Sequence, residues 1–302
     1  MIRLFRMFQM FTLVSLAACA GEAKDTADGA ADDGAADGAT DGTADGATDG
    51  AADGAADGGS DDGATDGGSD DGSGDGGLPV ELMITGTWDD SWGGQHEIDS
   101  ARWLSDGSSF EISVYDNALS YAIAQNGAEN PYNPGLWSRF DWGTSGGDVF
   151  YCQTAYDAES EAAALATPAA ALSDLDGGCG GFSWTELRPA LSINGDWNDG
   201  WGGVHNINAF TWTSGTSTFA ITQADEAAGS LVAQNGAANP WSPGLWSRFD
   251  WVWDAEGQLW YCQTAYDAPD EAAALATPAA DDTDPSSGGC GGFSWTGMVR
   301  PD

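Results

Sequence analysis

Basic residues are almost missing from this sequence. Eight lysines and arginines stand against 48 aspartates and glutamates, Lys24 is the only lysine, and the formal net charge is −40 over 302 residues. Such a chain repels nucleic-acid phosphates and anionic headgroups, which argues against DNA, RNA or headgroup binding. Neutral sugars, cations and basic peptides remain as partners. Histidine is nearly absent as well, with His96 and His205 alone. There is no phosphate loop, CxxC pair or dinucleotide fingerprint. Tryptophan is missing from the first 87 residues, so all 15 fall in the remainder. Large aromatics at that density supply a substantial core. The length suits two domains of ordinary size.

The start reads MIRLFRMFQMFTLVSLAAC. Arg3 and Arg6 precede a mostly apolar run, Met7–Ala18, that is too short to span a bilayer as a finished helix. It ends in Leu16-Ala17-Ala18-Cys19, which resembles the lipobox of bacterial lipoproteins. That resemblance implies a signal peptide over 1–18, cleavage before Cys19, and a diacylglycerol on its thiol. The next residues, Ala20 and Gly21, include no aspartate of the kind that retains some lipoproteins at the inner membrane. The implied address is the outer membrane or the cell surface.

Residues 19–78, a run of AADG and ATDG units, carry no aromatic side chain and no large aliphatic one before Leu78. Glycine in nearly every turn opposes a helix, and nothing offsets the entropy of ordering. The expectation is a disordered, self-repelling tether with a reach of roughly 40 Å at about 5–6 Å × √n. It lacks the spacing of a calcium loop, so any calcium binding there is weak and diffuse, and no cofactor is expected.

From residue 84 the chain repeats itself. ITGTWDDSWGGQHEI aligns with INGDWNDGWGGVHNI, and GLWSRFDW recurs intact at Gly135–Trp142 and Gly244–Trp251. The expected domains are 79–190 and 191–302. The copies differ unevenly: 15 of 18 positions match over Gln125–Trp142, but only 9 of 28 over Glu97–Ala124.

Alternation points to strands. Phe110, Ile112 and Val114 alternate with polar residues, as do Phe219 and Ile221, and Leu119, Tyr121 and Ile123. In GLWSRFDW, Leu136, Ser138, Phe140 and Trp142 share one face; Trp137, Arg139 and Asp141 share the other. One helix per copy is expected after Asp157 and Asp267, stopped by Pro168 and Pro278. Cys19 apart, four cysteines remain and allow three pairings. Closing each repeat on itself favours Cys152–Cys179 and Cys262–Cys290, each worth roughly 3–4 kcal/mol by loop entropy. Such a bond spans the helix and fastens GGFSWT, taken as the last strand. Six or seven short antiparallel strands per copy give a mainly β protein: two tandem small barrels or sandwiches. The opening G-x-W of each copy, Gly86-Thr87-Trp88 and Gly195-Asp196-Trp197, resembles the first strand of lipocalin- and avidin-like barrels, where the tryptophan closes one end.

Site chemistry is sparse. Each copy offers one histidine, with no second histidine or free thiol to complete a zinc site. His96 and His205 are read mainly as structural, at the start of a strand, and stand also among the candidate ligand-binding residues. Gly143–Gly147 fits G-x-S-x-G, but the glycine-rich context makes it a hairpin turn and not a nucleophile elbow. No catalytic residue is assigned. The face Trp137/Arg139/Asp141, with Trp246/Arg248/Asp250, is the first ligand-binding candidate. There an aromatic beside an arginine and a carboxylate suits a sugar ring or a cationic group. Gln125, Asn126, Gln234 and Asn235 would add hydrogen bonds. The competing reading is an internal ion pair holding a strand in place. The function expected is a surface-anchored lipoprotein with two homologous binding modules, for a glycan before other ligands. The alternatives are a small hydrolase using His96 and His205, or a purely structural envelope protein.

Overall fold

The computed structural model describes residues 80–302, so the lipobox, signal peptide and acidic tether lie outside the described residues. Both copies belong to one compact unit. The first copy has strands β1 (Gly86–Asp90), β2 (Gln95–Ile98), β3 (Arg102–Ser105), β4 (Ser108–Asp116), β5 (Tyr121–Asn126), β6 (Trp137–Ser145) and β7 (Asp148–Ala158). A short helix α1 (Glu161–Leu165) and strand β8 (Thr185–Pro189) complete it. The second copy has β9 (Gly195–Asp199), β10 (Val204–Ile207), β11 (Thr211–Ser214), β12 (Ser217–Asp225), β13 (Ser230–Asn235), β14 (Trp246–Trp253) and β15 (Leu259–Ala268). There follow α2 (Glu271–Leu275), a two-residue ribbon of β16 (Gly289–Cys290) and β17 (Phe293–Ser294), and the closing strand β18 (Thr296–Val299).

Within each barrel successive strands pair antiparallel, with β15 pairing β18 past the β16–β17 ribbon; β8 returns to β1, and β18 returns to β9. Each copy is therefore a closed eight-stranded barrel, and of the two expected architectures the sandwich falls away. The count exceeds six or seven because β2 and β3 have only four residues each, too few for alternation to register. The closing strand is Thr185–Pro189, not GGFSWT, whose Phe182 is exposed.

Closure leaves no sheet edge and makes an interior to be filled. In the first barrel Trp103 stacks on Phe140 at 4.4 Å, and Phe110 meets Phe140 edge-on at 5.0 Å. Trp212, Phe249 and Phe219 repeat this in the second. The expected alternation fails in two places. A bulge between Ile112 and Val114 turns Val114 outward. In β5 the inward residues are Ala122 and Ala124, small enough to leave room for the aromatics; Tyr121 and Ile123 point out.

Ile123 is nonetheless fully buried, because the segment between β7 and β8 straps across the outside of β5, β6 and β7. Both expected disulfides, Cys152–Cys179 and Cys262–Cys290, fasten these straps. Asp157 does not cap the helix. It stays in β7, and Ser160 takes the role by accepting the Ala163 amide. Asp270 does the same for α2.

The barrels meet at residues in which the copies differ. Fully buried Asp89 accepts the Ala209 amide at 2.7 Å and Asn194 Nδ2 at 2.5 Å. Arg188 donates to the Ile221 carbonyl at 2.7 Å and lies over the Phe210 ring. The register places Asn198 and Val299 where the first barrel has Asp89 and Arg188. Asp89→Ala should therefore strip a buried amide of its acceptor and cost about 1–3 kcal/mol. The check is chemical denaturation followed by calorimetry, in which the barrels should begin to melt separately.

Candidate functional site

The outward face of GLWSRFDW is occupied by the protein itself. Arg139 is buried and grips Asp141 through Nε and Nη2, the latter at 2.8 Å. Its Nη1 donates to the Leu165 carbonyl at the end of α1, and Thr154 Oγ1 donates to Asp141. Arg248, Asp250, Leu275 and Thr264 repeat the arrangement. The pair thus ties the strap to the barrel wall, and its polar atoms are spent inside the fold. Trp137 and Trp246 lie half-buried on the same side. Gln125 and Gln234 are exposed and donate to the Gly135 and Gly244 carbonyls of the adjoining loop.

The inward face leads elsewhere. Ser138 Oγ donates to Asn126 Oδ1 at 2.6 Å and accepts from Gln153 Nε2 at 3.0 Å. Asn126 Nδ2 donates to the Asn133 and Tyr156 carbonyls. Ser247, Asn235 and Gln263 form the same chain in the second barrel. These polar groups hold the β5–β6 and β13–β14 loops at one end of each barrel.

The histidines lie deep in the interior and are fully buried. Trp103 Nε1 donates to His96 Nδ1 at 3.0 Å, and His96 Nε2 lies 3.1 Å from Asp90 Oδ2. Trp212, His205 and Asp199 match them at 3.1 and 3.2 Å. An indole N–H only donates, so Nδ1 is the acceptor and the proton sits on Nε2, facing the carboxylate. The same carboxylate takes the Trp92 and Gly94 amides and shapes the β1–β2 turn. Burial depresses the His205 pKa more than Asp199 raises it. Burial alone would raise Asp90 and Asp199, but their imidazole and amide hydrogen bonds outweigh it and hold both below the ordinary carboxylate value.

Above His205 the second barrel opens into a cavity of about 270 Å³. This is small beside the roughly 300–1,000 Å³ of drug-sized sites. Its floor and walls are aromatic: Trp212, Phe219, Phe249 and Tyr261. Ser214, Ser217, Asn235, Asn239 and Gln263 supply hydroxyl and amide groups, and Trp241, Ser242 and Tyr266 stand at the mouth. Of the residues singled out from sequence, the structure brings His205 and Asn235 into this cavity and leaves Trp246, Arg248, Asp250 and Gln234 outside its lining. The other lining residues were missed. A signal for them existed in the repeat: 11 of the 13 lining positions are identical in the first barrel. Trp103, Ser105, Ser108 and Phe110 are four of the nine positions retained over the divergent block Glu97–Ala124.

In an up-and-down barrel, alternate loops share one end. The mouth end carries exposed aromatics in both copies: Trp92 and Trp201, Tyr132 and Trp241, Tyr156 and Tyr266, Phe182 and Phe293. No arginine or lysine lines the cavity, and Asp199 is not among its lining residues. Among the described residues no cluster of three histidine, cysteine or acidic side chains forms a metal site. The class defined is thus a tandem closed barrel with an uncharged, aromatic-walled cavity at its open end. Comparison with family models, curated proteins and solved structures returns no match for this chain.

Removing the Arg139 guanidinium leaves Asp141 buried without its partner. Arg139→Ala should cost about 3–5 kcal/mol in a denaturant titration, and Arg248→Ala the same. Acid should act in two phases. His205 is held below its ordinary 6.5, so the stability of its neutral form is present above that pH and is lost as pH falls below it. Asp199 is held below 3.8, so its contribution persists to lower pH and is lost as pH falls through its folded value. Melting temperature against pH should show the first phase vanish in His205→Gln while the second remains.

Proposed function

We propose that this protein is a surface-anchored bacterial lipoprotein whose two barrels each bind a neutral saccharide at the open end. The anchor is the lipid on Cys19, the residues 20–78 act as a spacer, and the outer membrane or cell surface is the address. The observation that carries the binding reading is the retention of cavity-facing Ser105/Ser214 and Ser108/Ser217 in a block where most positions differ. Small hydroxyl side chains contribute little to a hydrophobic core, so packing alone does not account for their retention.

The ligand class follows from the lining. A cavity without cationic side chains, in a molecule of net charge −40, disfavours anions. The carboxylate behind His205, Asp199, is committed to that imidazole and to two amides, which leaves little for a cation. Aromatic faces beside hydroxyls and amides suit a polyol with C–H faces, that is, a sugar ring. The exposed aromatics at the mouth extend the stacking surface beyond one ring. The hydrolase alternative is weaker. A general base needs a free lone pair, and the acceptor nitrogen of each histidine already takes an indole N–H.

The test uses the mature chain carrying Cys19→Ser, prepared with its disulfides formed. A neutral glycan array followed by titration calorimetry should find a ligand. Ser217→Trp, which puts an indole into the cavity, should abolish binding by the second barrel without lowering the melting temperature. A chain that binds no saccharide would sink the proposal.

A further inference from the structure

The cavity mouth of the second barrel and the equivalent end of the first barrel are not the same. The 13 lining positions of the second barrel differ from their counterparts at two, and these two are adjacent: Trp241-Ser242 against Tyr132-Asn133. All the deeper lining positions are identical. The backbone under the difference is also the same. Asn133 and Ser242 both adopt the left-handed conformation, with φ of 50° and 46°. Their carbonyls accept Asn126 Nδ2 at 2.8 Å and Asn235 Nδ2 at 2.9 Å. Asn130 and Asn239 clamp Ser109 and Thr218 through matching pairs of bonds. The change is therefore one of side chains on a common loop.

Tyr132 is 61% exposed and Trp241 82% exposed, so neither gains much from packing in the fold. An exposed aromatic at a cavity mouth acts on what enters. Indole offers the wider stacking face and a single donor; phenol offers a narrower face and a hydroxyl that both donates and accepts. Asn133 adds an amide where Ser242 has one hydroxyl.

We propose that Tyr132-Asn133 and Trp241-Ser242 are the specificity-determining pairs, and that they direct the two barrels to different neutral sugars. The inference rests on the saccharide reading above. The second barrel takes a ring with a broad C–H face, such as an all-equatorial hexopyranoside. The first takes a ring whose rim-facing groups hydrogen-bond, such as an axial hydroxyl or an acetamido group. Discrimination by one or two such contacts is about tenfold or more.

Two rim exchanges test this in the mature Cys19→Ser chain. Tyr132→Trp with Asn133→Ser gives two rims of the second kind; Trp241→Tyr with Ser242→Asn gives two of the first. Both place residues that the other copy already holds on the same backbone, so folding should survive, and the melting temperature checks it. The probes are methyl β-glucoside, methyl α-galactoside and methyl N-acetyl-β-glucosaminide, with a neutral glycan array to widen the range. The unchanged chain should bind two sets of sugars. The first exchange should weaken the set carrying axial hydroxyl or acetamido groups at least tenfold and leave the other. The second exchange should do the reverse. Identical sugar profiles in all three proteins would overturn the rim assignment while leaving the binding cavity intact. No binding by the unchanged chain would overturn both.

Discussion

The hydrogen bond from an indole to an imidazole, Trp103 to His96 and Trp212 to His205, is the contact on which each barrel depends. It buries the largest side chain of the interior without orphaning its N–H. By occupying Nδ1 it fixes the tautomer, so that Nε2–H faces Asp90 or Asp199. That carboxylate in turn gathers the amides of the following turn and sets the hairpin bearing Trp92 or Trp201. The indole itself stacks on Phe140 or Phe249 and becomes a wall of the barrel interior. One side of the arrangement is packing, the other forms the base of a cavity. A histidine in this setting is a structural part of the barrel, and its burial does not mark it as a catalyst.

The repeated octapeptide is explained by its two faces. A strand in a closed barrel with a strap over it is buried on both sides, so Ser138 to Trp142 all face neighbours within the fold. Outward, Arg139 and Asp141 hold α1 against the wall; inward, Ser138 fixes the mouth loop and Phe140 fills the interior. Isolated surface strands tolerate exchange on the solvent side, whereas this one has no solvent side over most of its length. Strong retention of the octapeptide between the copies is then the expected result of packing and does not by itself mark it as a ligand site.

Much of the fold was legible because the signals were local. Alternation gave β strands and the two faces of GLWSRFDW, and the copy boundaries gave the intrachain disulfides. What was illegible depended on the third dimension. Four-residue strands such as Gln95–Ile98 carry too little pattern to be counted, yet they complete the ring. The alternation Leu119, Tyr121, Ile123 picked the outer face, because inner Ala122 and Ala124 are small and the strap that buries Ile123 is distant in sequence. The site was partly seen: Asn126, Asn235, His96 and His205 were singled out, whereas the serines and aromatics were not. Their common feature is convergence from different strands on one end of a barrel, a property that no stretch of sequence displays.

The junction joins the two copies through faces that are not equivalent. Its contacts are heterologous: one face of the first barrel meets a different face of the second. Between identical units such an interface repeats without closing and produces a filament. Here the first barrel presents Asp89 and Arg188, and the second answers with Asn194, the Ala209 amide and Phe210. Where the second barrel would present the same face onward, it has Asn198 and Val299. Neither offers the charge that Asp89 and Arg188 supply, so a further barrel finds no anionic acceptor for its buried amide and no guanidinium for its ring. The differences at Asp89/Asn198 and Arg188/Val299 thus fall where sameness would let the interface repeat.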